Sequence, residues 1–183
     1  MQAYRAMASL VTPALLMAGY FLSPVAVEAV GPGDSAEISK LLVGAKAEAV
    51  ELKNDSEDLD ASVKSRLSWE SHARKIEMVK EHINNTGKML PKLKDAEASG
   101  APWQRRAIQR IEPLLKELAA NTETTINYVN ENRSKVHCPE FRDYVKANYE
   151  LATDLKTLLR DFVNYGEAKE KFANLQRRLE VTG

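Results

Sequence analysis

The sequence predicts an all-α protein, an antiparallel up-down-up-down four-helix bundle with a long C-terminal helix. Three observations carry that prediction. From Ile38 onward, apolar residues recur at alternating steps of three and four, the spacing that lines one face of a helix. The stripes form four blocks separated by short turns, and short connections make consecutive helices antiparallel neighbours. No segment alternates with the period of a strand, and no long repeat or low-complexity tract competes.

The first helix is expected over residues 35–65, with the stripe Ile38, Leu42, Ala45, Ala49, Leu52, Ser56, Leu59 and Val63. The stripe passes through Asn54-Asp55-Ser56 without losing phase, which predicts one continuous helix. The second, 69–98, follows a turn at Ser65–Ser68 and carries Trp69, His72, Ile76, Val79, Ile83, Thr86, Leu90 and Leu93. Ser68 suits its N-cap, because a hydroxyl there accepts a free backbone N–H of the first turn. Gly100 then closes that helix and Pro102 opens the next, the usual asymmetry of helix ends.

The third helix, 102–131, runs through Ile108, Ile111, Leu115, Leu118, Thr122, Thr125 and Val129. The third stripe crosses Pro113 without losing phase, so Pro91 and Pro113 read as kinks and not breaks, each removing one helical hydrogen bond. The fourth, 139–180, carries Phe141, Val145, Asn148, Ala152, Leu155, Leu159 and Phe162, and past Gly166 the phase shifts into a tail with Phe172, Leu175 and Leu179. Three helices of about 45 Å would then pack against a longer one, at 1.5 Å per residue.

Ahead of the bundle, residues 1–29 place Arg5 near the start, an apolar run from Ala14 to Leu22 and a small-residue ending Val27-Glu28-Ala29. That order of charge, apolar core and A-x-A-like site is a signal peptide, with cleavage expected after Ala29 and an exported product, periplasmic or extracellular. Residues 30–183 then form a single domain. Its acids and bases balance, as they do in the whole chain with 26 of each. A neutral surface argues against nucleic acid as a partner and against adsorption to an anionic membrane by charge, and no stable membrane insertion is expected after cleavage. Three N-x-S/T tripeptides, at Asn54, Asn84 and Asn132, are read as chance occurrences.

Cys138 is the only cysteine, so no internal disulfide forms. The bundle topology gathers Trp69, His72, Tyr128, His137, Cys138, Phe141 and Tyr144 at one end. His72, His137 and Cys138 have the donor types of a zinc or copper site. The favoured reading is structural: Cys138 as N-cap, Pro139 at the first helical position, and Glu140 complementing the positive end of the helix dipole. A thiol at a helix N-terminus also has a route to a lowered pKa. No Glu-x-x-His pair and no C-x-x-C-H occurs, which removes the usual di-iron and c-type haem frameworks. Axial ligation of haem by methionine or histidine stays weakly open, and no cofactor is expected.

Ser56, Thr122 and Asn148 interrupt three stripes at a similar depth and are expected to form a buried polar layer that fixes helix register, or else the wall of a polar ligand cavity. G-x-S-x-G, H-E-x-x-H and a Gly-rich phosphate loop are all missing, so an enzyme is not expected. Arg105-Arg106 and Arg177-Arg178 lie toward the end opposite Cys138 and are read as solvated faces ahead of an acidic-partner patch. The function expected is binding of another protein or self-association through a helix face or the tail of Phe172, Leu175 and Leu179, with a metal- or haem-carrying bundle centred on His72, His137 and Cys138 as the alternative.

Overall fold

The computed structural model describes residues 33–65 and 67–180. The signal peptide expected at residues 1–29 lies outside them. Four helices follow in order: α1 Ala36–Ser62, α2 Trp69–Ala96, α3 Pro102–Glu131 and α4 Pro139–Leu179, with single 3-10 turns at Glu97–Ser99 and Arg133–Lys135. Each helix packs against the two beside it, α1 on α2 and α4, α3 on α2 and α4, so the four close into an antiparallel bundle.

Every member of the first stripe, Ile38 through Val63, is buried. Because Ser56 and Leu59 keep that face turned inward, α1 continues unbroken through Asn54–Asp58. Ser35 caps its start and Ser68 caps α2, each hydroxyl accepting a backbone N–H three residues on, at 3.4 Å. Pro91 and Pro113 are both accommodated inside their helices. The fourth stripe departs from expectation at its end. Val163, not Phe162, is the last buried residue, and Phe162 lies half-buried at the α3–α4 seam. Leu155 to Leu159 to Val163 is a run of two four-residue steps, which lets the buried face drift around the helix by one position.

The end of the bundle where α1 begins is held by two side chains from the start of α3. Gln104 is fully buried and uses its whole amide. Its Oε1 accepts the backbone N–H groups of Ser35 at 2.8 Å and Ala101 at 3.0 Å. Its Nε2 donates to the Ser35 carbonyl at 2.8 Å and to Ser39 Oγ at 3.0 Å. One side chain thus satisfies the free N–H groups at the starts of two helices and ties them together. Trp103 Nε1 donates to Asp34 at 2.9 Å, and Lys169 of α4 donates to the same oxygen at 2.6 Å. Close approach sets the glycines here: a Cβ on Gly100 would meet Ile38 at 2.7 Å, and one on Gly166 would meet the Trp103 ring at 2.8 Å.

Asp34 and Lys169 therefore mark where the bundle stops, and α4 extends about ten residues, or about 15 Å, beyond it. Replacing Gln104 with Ala strands the Ser35 and Ala101 N–H groups and opens a void. The expected loss is about 3 kcal/mol of unfolding free energy, read from urea titration of the full chain.

Candidate functional site

At the Cys138 end the loop geometry brings the expected residues into contact. The His72 ring packs edge-on against Phe141 and His137, with centroids 5.3 Å and 6.1 Å away. Tyr128 stacks on Phe141 at 6.1 Å and meets Tyr144 at 5.6 Å, and Arg133 lies 4.2 Å over the Trp69 ring. Cys138 caps α4 with extended backbone and Pro139 takes the first helical position. The half-buried Cys138 Sγ lies 2.7 Å from the Tyr128 hydroxyl. Donation from Tyr128, followed by the backbone N–H groups of Phe141 and Glu140, lowers the Cys138 thiol pKa, and the Tyr128 hydroxyl is pushed up to about 12.

His72 is wholly buried. Ser62 Oγ donates its proton to the Leu59 carbonyl at 2.7 Å, so its 3.4 Å contact with His72 Nδ1 calls for a proton on that nitrogen. Nε2 is left as a bare acceptor with no partner. Burial first, then the fields of His137 and Lys75, lower the His72 pKa below its ordinary value. Among the described residues no three His, Cys, Asp or Glu side chains are placed to share a metal ion.

The polar layer is buried at all three positions. Thr122 Oγ1 donates to Asn148 Oδ1 at 2.7 Å, and Asn148 Nδ2 donates to Thr125 Oγ1 at 2.9 Å, so α3 and α4 are locked in register by one amide. Ser56 on α1 has no hydrogen-bond partner. Its level matches that of Asn148, because Lys53, one turn before it, sits 5.8 Å over the ring of Tyr149. A separate polar joint, unseen in the sequence, links α1 to α2: His82 Nδ1 is 2.8 Å from Glu48 and Nε2 is 3.4 Å from Asp55. Asn85 also donates to Glu48, at 3.3 Å. Burial, with Glu51 and Asp58 adding to it, holds the Asp55 carboxyl above the ordinary range against the pull of His82.

The tail residues stand in the open. Phe172, Leu175 and Leu179 are 61%, 42% and 69% exposed, respectively, on the overhang of α4. At about 100° per residue, Phe172 lies on the side of α4 opposite Val163 and in line with Tyr165. The apolar face of the overhang is therefore the continuation of an outward stripe, Leu158, Phe162 and Tyr165, that sequence periodicity alone does not separate from the core face. Those three line a groove of about 830 Å³ between α3 and α4, whose other wall is Trp103, Arg106, Arg110 and Leu114. Trp103 packs edge-on to Tyr165 at 5.6 Å, and Arg110 lies 5.8 Å over Phe162. The adjacent arginines divide their work: Arg105 donates to the Gly100 carbonyl at 2.9 Å, while Arg106 faces the groove.

Comparison with known proteins returns no matching family model, curated protein or solved structure.

Two outcomes are expected from these geometries. A folded-state pKa below the unfolded value means that the unfolded chain binds the proton first, so His72 destabilises the fold as pH falls through the unfolded value near 6.5 and the penalty grows until the folded value is reached. His72→Leu removes this dependence, and its unfolding free energy should fall less steeply than that of the wild type between pH 7 and 5, by at most about 1.4 kcal/mol per pH unit. For the polar layer, Thr122→Val and Asn148→Leu should each destabilise by about 1–2 kcal/mol, and the double variant by less than their sum, with a coupling of about 1 kcal/mol in a denaturation cycle.

Proposed function

We propose that the protein is an exported, non-enzymatic binding module and that its contact surface is the outward face of α4, from the α3–α4 groove to the overhang. The observation that carries this reading is the exposure of Phe172, Leu175 and Leu179 on a helix that outruns its own bundle. Large apolar side chains aligned on one rigid helical face are what a helix-groove partner buries, and isolated surface apolars would not align. Export is supported by the N-terminal segment with Arg5, its apolar run and the small-residue ending at Ala29. Among the described residues no helix is long and apolar enough to cross a membrane.

A second reading, a metal- or haem-binding bundle at the Cys138 end, draws on one observation, the unpartnered and buried Nε2 of His72. It is the weaker of the two, since the Cys138 thiol already has Tyr128 as its partner and the neighbours of His72 are aromatic rings.

Placing the photoreactive analogue p-benzoylphenylalanine at position 172, in cells that naturally make the protein, is expected to give a covalent protein adduct on irradiation. The same analogue at Met78, half exposed on α2, is expected to give none. An adduct-free chain at position 172, with the Met78 control equally silent, removes the outward face of α4 as the contact surface.

A further inference from the structure

From Leu158 to the end of the helix, the outward stripe of α4 reads the same in both directions. Its apolar positions are Leu158, Phe162, Tyr165, Phe172, Leu175 and Leu179, with gaps of four, three, seven, three and four residues, symmetric about a point between Ala168 and Lys169. A twofold contact has this requirement: where residue i of one copy meets residue j of the other, j also meets i. A stripe serving an unrelated partner needs helical spacing but no mirror order.

We propose that the occupant of this surface is a second copy of the chain, the two α4 helices lying antiparallel across a twofold axis between Ala168 and Lys169; the proposal rests on the reading that the outward face of α4 is the contact surface. In this register Tyr165 meets Phe172, Phe162 meets Leu175 and Leu158 meets Leu179, so each exposed residue of the overhang covers a groove residue of the other copy. The pairing runs about 30 Å at 1.5 Å per residue. At the crossing Ala168 of each copy meets Lys169 of the other, whose ammonium group is drawn back to Asp34. The groove wall on α3, with Trp103 and Arg110, widens the contact on both sides of the axis.

Sedimentation of the purified full chain over about 1–100 µM is expected to show a dimer, and Leu175→Glu, at an exposed position that leaves the monomer folded, to weaken it by about a hundredfold or more. Register is read by oxidation in a Cys138→Ser background. Tyr165→Cys combined with Phe172→Cys should give disulfide-linked dimers. Tyr165→Cys alone should not, since the two thiols would stand seven residues apart along the pair, about 10 Å. A chain that stays monomeric, a dimer indifferent to Leu175→Glu, or trapping by Tyr165→Cys alone each overturns the proposal. A photoadduct at position 172 with a different protein, from a chain that is monomeric when pure, refutes the dimer and leaves the contact surface standing; no adduct removes both.

Discussion

The surface chemistry of this molecule depends on one constraint, the unequal length of the helices that must share a core. An apolar stripe stays buried only as far as neighbouring helices reach. Helix α1 begins at Ala36, beside the Asp34–Lys169 pair, and the large apolar residues of α4 beyond that level, Phe172, Leu175 and Leu179, are exposed. Its last buried residue, Val163, comes just before that limit. The apolar residues that follow change sides, so what emerges from the bundle is not an unfinished core stripe but a second stripe on the opposite face, already present alongside the core as Leu158, Phe162 and Tyr165.

Much of the fold was legible because helical period is a local property. The stripe of α1 could be written from Ile38 to Val63 without knowing what it packs on, and Ser68, Pro102 and Pro139 mark helix starts by chemistry that acts over three or four residues. The end cluster was legible for a related reason. Antiparallel topology with short loops fixes which helix ends meet, so His72 and Phe141 had to be neighbours once the turns were placed.

The features that escaped sequence reading are those decided by contacts between distant segments. Gln104 resembles any polar residue in a helix's first turn; its role appears only when Ser35, sixty-nine positions earlier, arrives at its amide. His82 lay off the core face and carried no signal of its own, since Glu48 and Asp55 become its partners only when α1 and α2 lie side by side. Period places Phe162 in the core stripe because a step of three from Leu159 fits a helix as well as the step of four to Val163, and period alone does not choose between them. Within the polar layer, the sequence marks depth but not direction. Thr122 and Asn148 find each other across the α3–α4 seam, while Ser56 sits at the same level with its hydroxyl unpaired.

The overhang has a thermodynamic advantage as a binding element. A ten-residue helix in water is marginal by itself, because its first turn costs more order than one hydrogen bond returns. On α4 that nucleation has already occurred inside the bundle, and each overhang residue adds only a propagation step. Lys169 and the Trp103–Gly166 contact hold the root at a fixed angle. A partner closing on Phe172, Leu175 and Leu179 therefore meets a helix that is already formed and aimed, and the free energy of burying those side chains is not spent on ordering a chain. An overhang that was disordered, or an apolar stripe folded back on its own bundle, would lack one half of this arrangement. Here the stiffness comes from the core and the adhesive face from the change of sides at Val163, and the two are separable because they occupy opposite faces of one helix.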